Sequence, residues 1–385
     1  MSLEWIEGVP ADWHISKAQF VLDYQKRDVQ EDDEIVTAFR DGQVTLRRNR
    51  RTDGFTMAEK EIGYQHICEG DLVVHSMDGG FGAIGVSDSC GKASPVVHAY
   101  TSSLCDLRFV AYQLRAAVKA GWIAALAKGI RVRSTQFDRP ALASLNIAYP
   151  TVETQQRIAD YLDRETAEID AAVADLDRYV ELLEKRRRAK ITFAVEGKSN
   201  LVKDNSTESH PVANLGLVAH AYQPETLSME ALNQSGTFPV FGANGIIGRH
   251  DNFNHEQPQV VIACRGNTCG AVNWTLPKSW INGNAMVINP HAEKLRKDFL
   301  FYVLEIADYS LVITGSAQPQ IIRESLYRLR VPLPPLETQR RIADYLDRET
   351  TEIDSLIADS TRLRDLLLKR RSVLITEVVT GRKQV

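Results

Sequence analysis

The sequence lacks long apolar stretches and paired cysteine motifs. No run of about eighteen or more apolar residues occurs among its 385 residues, so we expect no membrane span. The first ten residues lack the basic-then-apolar pattern of a signal peptide. The five cysteines form no CxxC pair, which favours a reduced cytoplasmic protein over a disulfide scaffold or a zinc site.

Two catalytic signatures are also missing. The Asn/Asp-Pro-Pro-Tyr/Phe motif of adenine methyltransferases does not occur, because the only Pro-Pro pair lies within Leu333–Leu336. The segment Gly85–Lys92 comes near a phosphate-binding loop, but Ala93 stands where Ser or Thr must hold Mg²⁺. We therefore predict that the chain is not an enzyme and carries no catalytic residue, no metal ligand and no cofactor of its own.

An excess of positive charge is lacking too. The formal net charge is −4, and no large segment of the chain is strongly basic. Binding to nucleic acid would therefore depend on local basic clusters, or on a partner that supplies much of the positive field.

A long internal repeat organises the chain. The segments Glu153–Asp170 and Glu337–Asp354 differ at only two of 18 positions and lie 184 residues apart. The same offset aligns Lys185–Arg187 with Lys369–Arg371, whereas the sequences upstream of the repeat diverge. The order is therefore variable block, shared block, variable block, shared block.

Both shared blocks have the pattern of long helices. Apolar residues recur at spacings of three, four and seven, which gives each block one apolar stripe. Prolines precede the stripes (Pro150 and Pro334-Pro335), and Gly197 and Gly381 follow them as stop signals. A narrow stripe between charged residues requires a partner helix, and the nearest candidate is the other copy, packed antiparallel.

The variable blocks predict mixed domains. Short apolar runs at 72–74, 260–263 and 285–288 are separated by Gly-, Asn- and Asp-rich turns, which indicates strands. Helical stretches follow at 107–127 and 295–310. We expect an α+β fold: two mixed domains joined by two long antiparallel helices in a coiled coil, with an internal pseudo-twofold repeat. The predicted boundaries are 1–150, 151–200, 201–333 and 334–385.

The entry to the second shared helix carries a family resemblance. Residues 331–343, VPLPPLETQRRIA, resemble the helix entry in specificity subunits of type I restriction–modification systems, whose usual form is close to I-P-L-P-P-L-x-E-Q. This chain has Thr338 where that family commonly has Glu. The segments around Gly70–Gly79 and Phe238–Gly245 resemble a first and a second target recognition domain in the family's order.

The resemblance implies a non-catalytic, cytoplasmic DNA-recognition subunit. Residues 1–150 and 201–333 would each read one half of a bipartite, asymmetric target in double-stranded DNA, and the helices would space the two readers. Two methyltransferase (M) subunits would bring S-adenosylmethionine for adenine methylation. Restriction/translocase (R) subunits would bring ATP and Mg²⁺, and no membrane is involved.

Candidate DNA contacts lie in both variable blocks. In the first, the arginine cluster fits phosphates or guanine edges, although it would also suit a solvated loop that offsets the acidic run Glu31–Glu34. In the second, Arg, Asn and Gln residues lie near glycine-rich turns, where amide side chains can pair with adenine. The candidates are Arg47, Arg48, Arg50, Arg51, His75, Lys92, Ser94, Asn244, Arg249, Arg265, Asn267 and Gln318. We assign Lys185–Arg188 and Lys369–Arg371 to helix or partner contacts.

Two alternatives belong to other classes of protein. One is the specificity half of a single-chain restriction enzyme, which the missing catalytic signatures disfavour. The other is a coiled-coil adaptor that binds no nucleic acid. A neighbouring adenine methyltransferase gene would separate both from the specificity subunit.

Overall fold

A computed structural model describes residues 6, 8–50, 62–123, 137–197, 210–315 and 318–385. The chain forms two compact units, which we call unit 1 (residues 1–176 with 362–385) and unit 2 (residues 177–361). Both passages between the units lie inside long helices, Val152–Val195 and Leu336–Val379. Each unit therefore contains one variable block and one end of each shared helix.

The described residues of unit 1 form ten short strands and two α-helices before the first shared helix. The strands are β1 (His14–Lys17), β2 (Asp23–Gln25), β3 (Val36–Ala38), β4 (Val44–Leu46), β5 (Gln65–Ile67), β6 (Leu72–His75), β7 (Ile84–Val86), β8 (Gly91–Ala93), β9 (Val97–Thr101) and β10 (Asn146–Tyr149). The helices are α1 (Leu107–Lys119) and α2 (Arg139–Ser144). The first shared helix, α3 (Val152–Val195), begins in this unit.

In the part of unit 2 that the structure describes, eleven strands and two α-helices follow before the second shared helix. The strands are β11 (Val212–Asn214), β12 (Ala219–Tyr222), β13 (Phe238–Gly242), β14 (Gly245–His250), β15 (Val260–Ala263), β16 (Val272–Trp274), β17 (Trp280–Ile281), β18 (Ala285–Pro290), β19 (Ile313–Thr314), β20 (Gln320–Ile321) and β21 (Arg330–Pro332). The helices are α4 (Lys297–Ile306) and α5 (Arg323–Leu326). The second shared helix, α6 (Leu336–Val379), begins here.

The two units have matching topologies despite their divergent sequences. Unit 1 contains a four-stranded sheet in the order β2-β9-β6-β7, and unit 2 contains the equivalent sheet β12-β18-β15-β16. In both, a helix follows the second strand of that sheet, and a two-stranded pair (β1-β10 or β11-β21) leads into the shared helix. The predicted α+β class and pseudo-twofold repeat are therefore confirmed.

Each unit has its own apolar core between the sheet and its helix. In unit 1, Phe109 and Leu114 of α1 pack among buried residues that include Leu72 and Ile84. The carboxylate of Asp106 starts α1 by accepting the backbone N–H groups of Arg108 and Phe109. In unit 2, Phe299 and Leu300 of α4 pack with apolar residues of β15 and β18 in the same way.

The shared helices follow the sequence signals closely. Both contain 44 residues, about 66 Å at 1.5 Å per residue. They begin just after Pro150 and the Pro334-Pro335 pair, as expected. They end two residues before Gly197 (φ 74°) and Gly381 (φ 70°), whose left-handed backbone closes a helix at no steric cost.

The domain helix of unit 2 is shorter than predicted. The helix expected at 295–310 spans only Lys297–Ile306, because Arg296 and Ala307 both have extended backbone. The helix expected at 107–127 is described as Leu107–Lys119, and residues 124–127 lie outside the described part of the chain.

Two glutamines of the repeat attach each domain to its shared helix. Gln155 and Gln339 are fully buried. Gln155 Oε1 accepts the backbone N–H of Asp106 at 2.9 Å, and its Nε2 donates to the carbonyl of Pro150 at 2.9 Å. Gln339 Oε1 accepts the N–H of Arg296 at 2.8 Å, and its Nε2 donates to the carbonyl of Pro334 at 2.8 Å. One amide thus joins the start of each domain helix to the start of its shared helix.

A tyrosine of each domain helix makes a second pair of equivalent contacts. In unit 1, the Tyr112 hydroxyl donates to Asp163 at 2.7 Å and lies 3.2 Å from Thr166 Oγ1. In unit 2, the Tyr302 hydroxyl donates to the repeat equivalent Asp347 at 2.6 Å and lies 3.2 Å from Thr350 Oγ1. The shared side chains therefore explain why two different sequences adopt one arrangement on the helices.

Reciprocal ion pairs show that the helices are antiparallel. In unit 1, Arg371 Nε of α6 lies 2.8 Å from Asp170 Oδ1 of α3. In unit 2, Arg187 Nε of α3 lies 2.8 Å from Asp354 Oδ1 of α6. The offset of 184 residues exchanges one pair for the other. Lys185–Arg188 and Lys369–Arg371 thus each contribute one arginine to helix pairing, one of the two roles that we expected.

The buried glutamines predict a stability loss. Gln339→Ala leaves the Arg296 N–H and the Pro334 carbonyl without this partner, so we expect the free energy of unfolding to fall by about 1–3 kcal/mol. Urea unfolding of the full chain measures it. The control is Gln156→Ala at an exposed position of α3, where we expect a change within about 0.5 kcal/mol. Equal losses in both variants would show that the Gln339 amide does not attach the domain.

Candidate nucleic-acid interface

A groove in unit 1 brings four predicted residues together. The hairpin β3–β4, the end of β6 and the residue after β8 border a cleft of about 690 Å³. Arg47, Arg50, His75 and Ser94 line it. Residues far apart in sequence thus face one concave surface, which suits an interface that several loops build jointly.

The arginines of this groove already have partners within the unit. Arg47 Nε donates to Thr37 Oγ1 at 3.3 Å, and Arg48 pairs with Glu34 of the acidic run. Arg50 Nη2 lies 2.6 Å from Asp41 Oδ2. Its guanidinium also lies 4.2 Å from the centre of the Phe39 ring. The hydrogen bond that Arg50 donates to the Asp41 carboxylate raises the pKa of Arg50.

The remaining unit 1 candidates are less available for phosphate contact. His75 Nδ1 accepts the N–H of Asp78 at 3.0 Å, and burial lowers the pKa of its imidazole. A neutral His75 therefore supports the turn after β6. Lys92 lies in the middle of β8, where its N–H donates to the Glu34 carbonyl. Arg51 lies outside the described residues.

Two unit 2 candidates share the hairpin β13–β14 but serve different purposes. Asn244 is exposed in the two-residue turn that joins the strands, beside Gly245 (φ 98°). Arg249 donates from Nε to the Gly236 carbonyl at 2.6 Å and from Nη2 to the Thr237 carbonyl at 2.5 Å. Asn244 is thus presented to solvent, whereas Arg249 fixes the loop before β13.

Three other unit 2 candidates lie on adjacent loops. Arg265 and Asn267 are exposed in the loop after β15, and Gln318 is exposed just before β20. Backbone contacts join the loops: the Gly266 N–H donates to the Pro319 carbonyl at 3.0 Å. The structure therefore unites Arg265, Asn267 and Gln318 on one surface and places Asn244 on another element.

Sequence reasoning missed several residues that shape these surfaces. Arg40 and Tyr64 line the same groove as Arg50. Arg40 is the second residue after β3, and its guanidinium lies 4.9 Å from the centre of the Phe81 ring. The buried Gln155 and Gln339 were also missed, although their identity within the repeat is a signal that they have a common task.

Comparison with known proteins agrees with this organisation. The family model described as "Type I restriction modification DNA specificity domain" matches residues 212–359. The Escherichia coli "Type I restriction enzyme EcoprrI specificity subunit" is 27% identical over 128 residues, 33% of this chain and 32% of that protein. The Haemophilus influenzae specificity subunit S.HindORF215P is 28% identical over 154 residues, 39% of each. Residues 212–359 of this chain are therefore similar to the DNA specificity domain of type I restriction–modification systems.

The matches to these curated relatives span less than two-fifths of their length. Solved structures extend the likeness of fold over nearly the whole chain. The S subunit from M. genitalium matches with a TM-score of 0.51 at 16% identity, covering 96% of this chain and 98% of that one. A chain from a structure on assembly and conformational transition of the type I R-M system matches with a TM-score of 0.63 at 15% identity, with the same coverage.

Two other findings concern the cysteines and the helices of this chain. Its five cysteines are free thiols. Among the residues that the structure describes, no helix combines the length and apolar character needed to cross a membrane.

The contacts of Arg249 predict that it stabilises unit 2. We expect Arg249→Ala to lower the free energy of unfolding by about 1–3 kcal/mol, because the substitution removes two charge-assisted hydrogen bonds to backbone carbonyls. Chemical unfolding measures it. Arg265→Ala, at an exposed loop position, is the matched control and should change stability by less than about 0.5 kcal/mol. If Arg249→Ala left the free energy of unfolding unchanged, we would assign this side chain to ligand contact instead.

Proposed function

We propose that this chain is a specificity subunit that recognises a bipartite, asymmetric sequence in double-stranded DNA and directs adenine methylation and restriction by partner subunits. One observation carries the proposal. Two units of the same topology are attached to the helices by the same side chains, yet they present different residues at their exposed loops. A repeated framework with unlike loops suits two unlike half-sites.

The unit 1 groove supports a role in DNA contact. Two of its arginines are held by exposed acidic partners, Arg40 by Asp78 and Arg50 by Asp41. The side chains of Arg50 and Asp41 are 37% and 53% exposed. Exposed ion pairs contribute little to stability, so exchanging a carboxylate for a DNA phosphate costs little. An arginine released in this way can fork onto a phosphate or onto guanine O6 and N7.

The unit 2 loops support base contact by uncharged groups. Asn244, Asn267 and Gln318 are exposed amides on turns or loops. An amide can pair with N6 and N7 of adenine in the major groove, while Arg265 beside Asn267 can bind a phosphate or a guanine. Different chemistry in the two units is what an asymmetric target requires.

Partner subunits supply the chemistry in this proposal. Two M subunits bind S-adenosylmethionine, and R subunits bind ATP and Mg²⁺, while this chain binds no cofactor and catalyses no step. The net charge of −4 supports a division of labour in which the M subunits make many of the phosphate contacts. The complex would act in the cytoplasm, where the free thiols stay reduced.

The two alternatives gain no support from the matches. A coiled-coil adaptor without nucleic acid does not fit a family whose model describes a DNA specificity domain. Co-expression with the type I M subunit, followed by genome-wide mapping of methylated adenines, tests the proposal. We expect a two-part motif with unlike halves. Methylation by the purified chain alone, or no methylated motif with the M subunit, would contradict the proposal.

The arginine cluster predicts a limited change in salt dependence. Replacing Arg47, Arg48, Arg50 and Arg51 with Ala should weaken DNA binding by the assembled complex. The slope of log K against log salt should fall by at most about 3.6, because each lost phosphate contact contributes about 0.9. The measurement is binding to matched and single-mismatch duplexes at several salt concentrations.

Substituting the acidic partners of these arginines should have the opposite effect on DNA binding. We expect Glu34→Ala with Asp41→Ala to tighten binding, since Arg48 and Arg50 lose their intramolecular carboxylates. A base-reading arginine would appear as relaxed discrimination in one half-site, about 1–3 kcal/mol per bidentate pair. Unchanged affinity and slope in both variants would remove the groove from the DNA interface.

The shared helices predict the spacer of the target. We expect insertion of four residues after Leu176 and of four after Thr361, where the chain passes between units, to lengthen the preferred spacer by about one to two base pairs. The reason is that four helical residues add about 6 Å, and one base pair adds about 3.4 Å. Methylome mapping reads spacer and half-sites together. Altered half-site bases would show that the helices read sequence.

A further inference from the structure

Two equivalent arginines of the repeat have different surroundings. In unit 2, Arg187 lies between two carboxylates: its Nη1 pairs with Glu305 of α4, and its Nε donates to Asp354 at 2.8 Å. The arginine is therefore flanked by an acid from the domain helix and an acid from the opposite shared helix. Its repeat equivalent in unit 1 is Arg371, which keeps the partner on the shared helix, Asp170.

The second acid is replaced by an arginine in unit 1. Glu305 stands three residues after Tyr302, and the residue three positions after the equivalent Tyr112 is Arg115. Two guanidinium groups and one carboxylate thus occupy the place where unit 2 has one guanidinium and two carboxylates.

Arg115 has no acidic partner within the described part of unit 1. Its Nη1 donates to the backbone carbonyl of Asp41 at 3.2 Å, and its guanidinium lies 4.6 Å from the centre of the Tyr112 ring. Gly42 (φ 94°) allows this approach, because a Cβ there would lie 1.7 Å from Arg115 Nη1. The Nε of Arg371 is buried without a hydrogen-bond acceptor, although it lies close to Asp170.

These arginines line a cavity with a positive balance. It has a volume of about 760 Å³ and lies between α1, the turn after β3 and the last turns of α6. Its charged lining consists of Arg40, Asp41, Arg115, Lys119, Asp170 and Arg371. The two acids are already paired, Asp41 with Arg50 and Asp170 with Arg371.

The pKa values of the two arginines reflect this difference in their partners. Burial lowers the pKa of Arg115, and the charge of Arg371 lowers it further. In unit 2, Glu305 and Asp354 raise the pKa of Arg187 against the effect of burial. A buried charge without a counter-ion is costly, so unit 1 gains stability from an anion that unit 2 provides for itself.

We propose that the unit 1 cavity binds a small organic carboxylate, whose carboxylate group takes between Arg115 and Arg371 the place that Glu305 takes beside Arg187. A planar carboxylate matches the fork of an arginine, and each guanidinium can donate two hydrogen bonds. The side chain of Arg371 is only 23% exposed, which suits a small ligand that enters a cavity rather than the phosphate of a duplex. This site is independent of DNA recognition.

The test uses malonate and the full chain without DNA. Isothermal calorimetry should give one site per chain with a Kd of about 1 mM, and malonate should raise the unfolding temperature more than sodium chloride at equal ionic strength. Arg115→Glu supplies the missing acid from the chain itself, so we expect malonate affinity to fall at least tenfold. Arg115→Gln should lower malonate affinity by a similar factor, and it replaces Arg115→Glu in the test if the glutamate variant fails to fold.

Two further variants separate a specific site from a general charge effect. Arg186→Glu makes the same charge change at an exposed position of α3 and should leave malonate affinity unchanged. Glu305→Arg copies the unit 1 arrangement into unit 2 and should raise the stoichiometry from one to two. The proposal would be overturned if the natural chain did not bind malonate, or if both Arg115 variants bound it as tightly as the natural chain. An equal loss of malonate affinity in Arg186→Glu would also overturn it. Failure here would leave the methylation experiment unaffected.

Discussion

The buried amide of one glutamine in each shared block is the constraint on which the rest of this fold depends. Gln155 and Gln339 must each satisfy a backbone donor of the domain and a backbone acceptor at the start of the long helix. Because an unpaired polar group in this position is costly, the domain helix and the shared helix can meet in one geometry only. The tyrosine–aspartate contacts one to two turns later fix the direction of the domain helix on the shared helix.

The near identity of the two shared blocks follows from a double task. One face of each block attaches a domain, through Asp163 and Thr166 or their equivalents. Other positions pair with the opposite helix, as Asp170 and Asp354 do. A substitution at one of these positions therefore disturbs a domain contact or a helix contact. For these contacts, the variable blocks need only present a tyrosine and a backbone N–H at the right place. Their remaining residues are not constrained by attachment through these contacts and can differ between the units.

Sequence patterns predicted the structural features that depend on the repeat or on regular spacing of apolar residues. The offset of 184 residues, the prolines and the glycines located both long helices, and the apolar runs located β6, β15 and β18. Patterns could not predict which exposed arginines are free, because ion pairing depends on loops that approach in space. Arg48 forms an ion pair with Glu34 across a hairpin, and Arg249 donates hydrogen bonds to two backbone carbonyls. The split of each helix between two units was likewise missed, since helical periodicity continues through the boundary.

The reciprocal ion pairs have a genetic consequence. Each shared block carries one aspartate and one arginine of the two pairs, so a single block holds both complementary halves. Unequal crossing-over between the two nearly identical coding segments would delete one repeat length and leave one domain with one intact block. Two such half-chains would present self-complementary, isologous surfaces to each other. The arrangement that joins two unlike domains in one chain would then join two identical domains from two shortened chains.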